Sequence, residues 1–431
     1  MPYQLNLARG AAVLGTLLLV QCGRPPEPAA DADLAAEIAH IQAIDNHAHP
    51  VRAVPNGQPA DREFDALPVD NMEPQSDPVN QRPGTPLLLD AAKALYRSST
   101  KARTIQEKGD GYPAWVLDQM GVEVMLANRV AMGSSIQPPR FRWVPYADAL
   151  LFPLDNSSLA AKNADRKSFF ALEDVLRRRY LADAGLPAPP ATFADYLSRV
   201  VTATLERQKQ GGAVAEKFEA AYLRTLAFDA VDRAAAEHVY RQFAAKGVPP
   251  DSEYKLLQDF LFRYVAAECG RLGMAVHLHT MAGAGGYFDV SGANPLNLES
   301  VLNDPSLRKT NFVMVHGGWP FTREITPLLE KPNAYLDFSA QSLLLSAPTL
   351  AGTLREWLEH VPEKVLFGTD AYPYSNEMGW EESGWIAART GRQALAMALT
   401  AMMRDGGISH ARAVEMARMV LRENAKKLYG L

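Results

Sequence analysis

The chain has 431 residues, of which 47% are hydrophobic and 22% are charged, so it is long and apolar enough to bury a large core. Its 44 basic and 49 acidic side chains leave a formal net charge of −5. This near balance argues against a nucleic-acid partner, which would require a basic surface. With only two cysteines, the sequence also excludes a disulfide framework.

The N-terminal region contains an apolar segment, Ala11–Val20, which has the length of a signal-peptide core and is too short to span a bilayer. Cys22 follows in the sequence LVQCG, which resembles the lipobox of bacterial lipoproteins, with Cys22 as the residue to be lipidated. Gln21 departs from the small residue usual before that cysteine, so an ordinary secretory signal and an uncleaved anchor are the alternatives. We predict an exported protein, held by lipid on the periplasmic side of the bacterial cell envelope or free in the periplasm.

The sequence predicts that the chain is divided into three parts. Residues 1–22 are predicted to be the signal and lipobox, and residues 23–33 a Pro-rich tether. Residues 34–431 are predicted to form one large domain, because strand and helix patterns alternate along this length without a linker.

Eight apolar segments of β type recur along the domain, and helical patterns fill most of the gaps after the fourth. The predicted strands are Ile41–Asn46, Val122–Asn128, Val144–Phe152, Ala213–Phe218, Met274–His279, Asn311–His316, Ala334–Phe338 and Lys364–Thr369. The predicted helices between the later strands are Val231–Lys246, Tyr254–Leu272, Leu298–Leu302, Glu324–Glu330 and Leu350–His360. This alternation predicts an α/β fold of the (β/α)₈ TIM-barrel type. An open doubly wound sheet would need a Gly-rich phosphate turn after an early strand, and none is present there.

Two inserts interrupt the barrel pattern. A Pro-rich, polar stretch from Pro50 to Pro86 predicts a long loop after strand 1, of the kind that forms lids or functional loops. A second insert, at about residues 155–212, carries helical patterns at Ser168–Ala182 and Phe193–Lys209. We therefore predict a helical insertion before strand 4.

Histidines and an aspartate stand at the ends of the predicted strands, where TIM-barrel enzymes place their reactive groups. His47 and His49 share one face of the first strand, so their two imidazoles supply half of a divalent metal site. His277 and His279 form a second pair on one strand. His279, which is nearer the strand end, is the expected ligand, and which of the two ligates is not settled by the sequence.

Two further strand ends carry candidate catalytic groups. His316 opens onto Gly317-Gly318 and is expected to ligate metal, polarise a substrate carbonyl or shuttle a proton. Asp370 ends a buried strand, where an unpaired carboxylate is costly, so a metal ion, a proton or a histidine must satisfy it.

The whole pattern resembles the amidohydrolase superfamily and, within it, the amidohydrolase-related family 2, from about Ala35 to Leu431. The segments that carry the resemblance are Asp45–His49, His277–Thr280, Asn294-Pro295, Val315–Pro320, Pro332–Asp337 and Leu366–Ala371. The resemblance implies metal ligation by His47, His49 and His279, catalysis by His316, and an acid/base role for Asp370 in contact with metal and water.

Lys217 and Arg224 lie near the fourth strand. The resemblance implies that a lysine at this strand is carboxylated and bridges two metal ions in binuclear members. Lys217 is therefore a candidate for a bridge, for a substrate-binding cation, or for a lysine that extends from the barrel rim toward water. Arg224 is a candidate for holding a substrate carboxylate through two N–H groups. His277 is a third candidate for contact with the metal site or the substrate.

We therefore expect a metal-dependent amidohydrolase that cleaves an amide bond of a small molecule, carboxylated amides being among the candidates, with water activated by Zn²⁺ and one ion favoured over two. Non-oxidative decarboxylation on the same scaffold is the first alternative. A lipid-anchored metal or small-ligand binding protein without catalytic activity is the second. The expected partner is a small-molecule substrate, with membrane contact only through the N-terminal lipid; the oligomeric state does not follow from the sequence.

The lipobox leads to a direct prediction. Cys22→Ser should release the protein from membranes or block its maturation, because several acyl chains on one cysteine anchor a protein firmly. Intact-mass measurement and membrane fractionation report the outcome, with Cys269→Ser as the control that leaves the lipobox unchanged. An unmodified N-terminus that begins elsewhere, in a protein of the soluble fraction, would contradict the lipoprotein interpretation.

Overall fold

The computed structural model describes residues 30–54, 59–68, 79, 82–375 and 377–431. The predicted signal, the lipobox and most of the tether, which are residues 1–29, lie outside the described residues. Among the helices of the described ranges, none is long and apolar enough to cross a membrane.

Eight parallel strands follow one another around the fold in chain order. They are β1 (Ala43–Ala48), β2 (Val122–Asn128), β3 (Phe141–Val144), β4 (Ala215–Phe218), β5 (Ala275–His279), β6 (Phe312–Val315), β7 (Ala334–Asp337) and β8 (Val365–Leu366). The ladders run continuously within β1–β3 and within β4–β8. Backbone hydrogen bonds cross both seams, among them Lys217 N–H to Pro145 O at 2.7 Å and Asp370 N–H to His47 O at 2.8 Å. The predicted TIM-barrel fold is confirmed.

Helices occupy the connections between the strands and pack around them. They are α1 (Ala32–His40), α2 (Pro86–Tyr96), α3 (Lys101–Lys108), α4 (Tyr112–Met120), α5 (Ser157–Ala160), α6 (Ala164–Asp183), α7 (Phe193–Asp195), α8 (Ala203–Gln210), α9 (Ala220–Leu223), α10 (Arg233–Phe243), α11 (Asp251–Leu272), α12 (Glu299–Leu302), α13 (Gln341–Leu344), α14 (Ala347–His360), α15 (Trp380–Arg404), α16 (His410–Arg418) and α17 (Asn424–Tyr429). A π-helical stretch, Tyr196–Thr202, joins α7 to α8.

The longest predicted connecting helix, α11, shows how local sequence sets the boundaries. Acidic Asp251 and Glu253 lie in its first turn, where their negative charges interact favourably with the positive end of the helix dipole. Gly273 ends the helix in the left-handed conformation, with φ 66°, which glycine adopts without steric cost. The chain can then turn directly into β5.

The third strand lies earlier than predicted. The observed strand is Phe141–Val144, whereas the segment Val144–Phe152 was expected, and Asp148–Leu150 forms a 3₁₀ turn. Pro145 has no N–H to donate to a ladder, and the buried residues Asp148–Leu150 lie in a turn and not in a strand. The prediction was wrong because an apolar run reports burial without specifying the backbone conformation.

Both inserts have a structural counterpart. Helices α5 to α8 lie between β3 and β4, where the helical insertion was predicted. In the loop after β1, the described residues 59–68 fold back onto the barrel. There the fully buried Arg129 and Asp61 form an ion pair at 2.9 Å, and Val130 N–H donates to Glu63 O at 2.8 Å.

The barrel interior is filled by apolar side chains, and the last helix packs against them. The interior cluster consists of Ile44, Leu126, Val144, Ala215, Ala275, Val313, Val315, Leu366 and Ala425. Leu428 and Tyr429 of α17 pack against this cluster, and the Tyr429 hydroxyl reaches Asn46 at 2.5 Å. The C-terminal helix therefore forms part of the barrel floor, beneath the strand ends that carry the histidines.

Candidate metal and catalytic site

Three potential metal-ligand atoms meet where β1 and β8 end. The Nε2 atoms of His47 and His49 are 3.3 Å apart, and Asp370 Oδ1 lies 3.2 Å from the first and 3.5 Å from the second. Ligands about 2.0–2.1 Å from a tetrahedral Zn²⁺ ion are separated by about 3.3 Å, so the observed triangle has the size of one face of such a site. In the described ranges this is the one cluster of three such atoms. The donor set fits a divalent metal ion.

Buried hydrogen bonds hold the two imidazoles in this orientation. His49 Nδ1 lies 3.3 Å from Phe64 O, which can only accept, so Nδ1 carries the proton and Nε2 keeps its lone pair toward Asp370. The Tyr146 hydroxyl is 3.1 Å from the same Nδ1 atom. On the other ring, the side-chain amide of Asn128 lies 2.8 Å from His47 Nδ1 and 3.1 Å from Ala48 O. Residues of the loop after β1 thus help to orient a candidate ligand.

Asp370 is held in a strained backbone conformation. Its φ is 56°, in the left-handed region that a non-glycine residue occupies only at a cost of about 1–3 kcal/mol. The preceding Thr369 is clamped by the buried Asp45, which accepts from Thr369 N–H at 3.0 Å and from its hydroxyl at 2.5 Å. Strain of this kind is common at functional sites. It directs the carboxylate of Asp370 toward the two histidines.

Burial sets the protonation of the site. It lowers the pKa of His49 to about 4 and that of His279 to about 3, and the positive charge of Lys217 acts in the same direction on both. Burial also lowers the pKa of His47 well below its usual range. For Asp370, burial raises the pKa while the His49 and Lys217 charges oppose it. The imidazoles are therefore neutral near pH 7, which is the form that binds metal ions.

His279 and His316 stand beside the triangle. The His316 ring centre lies 4.9 Å from that of His47 and 4.7 Å from that of His279. His279 Nε2 donates to Met281 O at 2.9 Å, so its free lone pair is on Nδ1, and its ligand atoms lie outside the three-atom cluster. His316 has φ 69°, a second strained residue at this end of the barrel.

The remaining predicted site residues have different positions. Lys217 is only 1% exposed, and its Nζ lies 3.7 Å from Glu219 Oε1, a loose ion pair at the end of β4. His277 points deeper into the barrel, where its Nε2 is 2.7 Å from the Tyr429 hydroxyl. The structure does not bring His277 to the three-atom cluster.

Arg224 is engaged by other parts of the protein. Its guanidinium donates to Asp259 Oδ1 at 2.5 Å and to Gln258 Oε1 at 2.9 Å. Two further N–H groups donate to backbone carbonyls, of Thr225 and Ala227. With four of its N–H groups in use, the structure gives no support to the interpretation that Arg224 binds a substrate carboxylate through two of them.

Sequence reasoning missed residues that shape the site. Aromatic rings stand over it: Tyr372 lies 5.3 Å from the His49 ring, and Tyr222 lies 4.8 Å from the His279 ring. The Tyr374 hydroxyl lies 3.4 Å from Asp370 Oδ2. Tyr372 and Tyr374 follow Asp370 closely in the chain, and this proximity is a signal that could have identified them. Tyr222 and Asn128 carry no such signal.

Comparison with known proteins supports a family assignment. Residues 162–431, more than half of the chain, match the family described as Amidohydrolase. A stretch of 207 residues is 30% identical to Protein fluG of Emericella nidulans and covers 45% of this chain. The same stretch covers only 23% of that relative, so this chain spans a small part of its length.

Solved structures agree on the fold. A candidate metal-dependent hydrolase from Lactobacillus casei superposes with a TM-score of 0.63 at 16% identity, covering 92% of this chain and 97% of that one. Uronate isomerase from Thermotoga maritima superposes with a TM-score of 0.56 at 12% identity, covering 93% and 98%. At these identities the likeness concerns the barrel alone. The family match, over more than half of the chain, shows that the chain belongs to the amidohydrolase family.

Proposed function

We propose that this enzyme hydrolyses an amide C–N bond of a small molecule, with carboxylated amides as the first candidates. The observation that carries the proposal is the triangle of His47, His49 and Asp370 atoms, 3.2 to 3.5 Å on each side, with His316 beside it. Such a group combines metal ligands, a proton acceptor and an imidazole in one buried place. These are the parts that hydrolysis of an unreactive carbonyl requires.

The proposed metal is a single Zn²⁺ ion held by His47, His49 and Asp370, with His279 as a further ligand through Nδ1. When bound, a divalent ion supplies Lewis acidity, which polarises a carbonyl and makes water more acidic. Neutral imidazoles suit Zn²⁺, and the hydrogen bond from His49 Nδ1 to Phe64 O keeps one ligand atom free for it.

The chain's own residues account for the proton transfers. As water attacks the carbonyl carbon, the Asp370 carboxylate takes a proton from it and later gives that proton to the amine nitrogen while the C–N bond breaks. Oδ1 belongs to the ligand triangle, whereas Oδ2 has only the long contact to Tyr374 and is the atom we assign to this transfer. His316 lies beside both candidate ligand histidines, where a neutral imidazole can accept a proton and pass it on during the reaction.

Lys217 and the aromatic rings suggest the kind of substrate. Lys217 is buried beside the histidines, and its loose 3.7 Å pair with Glu219 leaves its ammonium group able to hold a carboxylate. Tyr372 and Tyr222 offer flat apolar surfaces, one beside His49 and the other beside His279. We therefore propose a substrate with one carboxylate and an apolar portion, small enough for a site whose most accessible candidate ligand, Asp370, is 14% exposed.

Decarboxylation would use the same residues, and a binding protein would use the ligands alone. A panel of acyl-amino acids and related carboxylates, assayed for both released amine and released carbon dioxide, separates the three possibilities. Release of amine supports the proposed hydrolase. Release of carbon dioxide alone, or metal-dependent binding without turnover, contradicts it. We further propose that this reaction takes place on the periplasmic side, as the N-terminal sequence predicts.

The metal assignment can be tested without an activity assay. Purified protein should carry about one divalent ion per chain, and His47→Ala should lose most of it, because the removal of one ligand from a small set weakens a site severely. Elemental analysis measures the content, and His360→Ala, which changes an exposed histidine, is the control. Full occupancy in His47→Ala would refute the assignment.

Asp370 is tested by a change that keeps its shape. Asp370→Asn removes the proton acceptor, so kcat should fall by about 10² or more, the usual contribution of general-base catalysis. Steady-state kinetics with the best substrate of the panel gives the result, together with metal content. Asp110→Asn, at an exposed position, should leave kcat unchanged. Turnover at the normal rate in Asp370→Asn would exclude the proposed proton transfer.

Lys217 distinguishes one metal ion from two. Lys217→Met preserves the length of the side chain but removes its charge. If Lys217 binds the substrate carboxylate, the metal content stays near one and KM rises. If Lys217 is a carboxylated bridge, the wild type holds about two ions and the variant fewer. Lys246→Met, at an exposed lysine, is the matched control.

A further inference from the structure

A second hydrogen-bonded group lies behind His316, one layer deeper than the ligand triangle. His316 Nδ1 is 2.8 Å from Ser339 Oγ, and the Ser339 hydroxyl donates to Asp337 Oδ1 at 2.5 Å. Because the single hydroxyl proton of Ser339 is used on the carboxylate, the hydrogen bond to the histidine must be donated by Nδ1–H. The Nε2 atom of His316 is then the one with the lone pair.

The other oxygen of Asp337 is fixed from the barrel floor. Asn46 Nδ2 donates to Asp337 Oδ2 at 2.6 Å, and the Tyr429 hydroxyl donates to Asn46 Oδ1 at 2.5 Å. His277 Nε2 stands 2.7 Å from the Tyr429 oxygen and completes the chain as its donor. These hydrogen bonds form two arms, one from His316 through Ser339 and one through Tyr429 and Asn46. In both arms each donated hydrogen points along the chain of bonds toward Asp337, which is fully buried.

We propose that Asp337 is a positioning residue for His316, acting through Ser339, and that the arm of Asn46 and Tyr429 holds Asp337 in place. The result is one tautomer of His316, with the proton on Nδ1 and the Nε2 lone pair available for the reaction. The effect on turnover rests on the proposed function, whereas the effect on the tautomer does not.

A purely structural role for Asp337 can be separated from this one. Oδ1 also accepts from the backbone N–H groups of His316 at 2.9 Å and of Ser339 at 3.0 Å, so Asp337 ties β7 to the turn after β6. Ser339→Ala removes the hydroxyl that links His316 Nδ1 to Asp337 but leaves both backbone hydrogen bonds to Asp337 Oδ1. Ser342→Ala is the matched control, since the Ser342 hydroxyl is buried and has no hydrogen-bond partner within the described part of the chain.

The experiment measures the tautomer directly. In protein labelled with ¹⁵N-histidine, with the signals assigned by comparison with His316→Gln, wild-type His316 should show a protonated Nδ1 and an unprotonated Nε2. In Ser339→Ala the two nitrogens should move toward a mixture of tautomers, while Ser342→Ala should match the wild type. An unchanged His316 tautomer in Ser339→Ala would overturn the proposal, whatever the activity.

Kinetics then link the tautomer to catalysis. Ser339→Ala should lower kcat about tenfold with little change in KM, on the order of the loss of one strong hydrogen bond. Tyr429→Phe should shift the His316 tautomer in the same direction by a smaller amount. Tyr240→Phe is its control, because the Tyr240 hydroxyl donates to the Pro190 carbonyl and belongs to neither arm. A shifted tautomer with normal kcat would support the positioning by Asp337 and count against the proposed role of His316.

Discussion

The seam where β8 meets β1 is the constraint on which the site depends. Asp370 N–H donates to His47 O at 2.8 Å, and His49 N–H donates to Ala371 O at 2.8 Å. At the same seam, the Asp45 carboxylate accepts hydrogen bonds from the backbone N–H and the hydroxyl of Thr369. These bonds bring residues more than three hundred positions apart into contact, and they compensate for the strained φ of Asp370. Without the seam, the two imidazoles of β1 would have no carboxylate opposite them.

Burial at this seam has an electrostatic consequence. Four histidines, a lysine and an aspartate share one end of the barrel; the histidines and the lysine are almost inaccessible to water, and the Asp370 side chain is 14% exposed. Since desolvation disfavours every charge, the histidines remain neutral and keep their lone pairs, and the negative charge of Asp370 depends on its neighbours. A bound cation would relieve this cost, because it compensates the carboxylate and uses the lone pairs that burial preserves.

The sequence predicted those features that depend on local order. The pairing of His47 with His49, the position of Asp370 and most strand positions follow from side-chain alternation within a few residues. The third strand was misplaced because Leu150–Phe152 is buried for reasons that only the packed structure shows. The orientation of His279 and the engagement of Arg224 are set by Met281 O and Asp259, and no spacing rule identifies such partners. Ser339 has no sequence signal at all.

The barrel interior can be understood as three layers with distinct tasks. Apolar side chains and α17 form the floor, a polar middle layer runs from His277 through Tyr429 and Asn46 to Asp337, and the candidate ligands form the top. A polar layer inside a core is costly unless each group has a partner. Here the hydrogen bonds of the layer lead to the single acceptor Asp337, which also fixes His316 above, whereas His277 Nδ1 has no hydrogen-bond partner among the described residues. Order in the top layer therefore depends in part on a helix at the opposite end of the barrel.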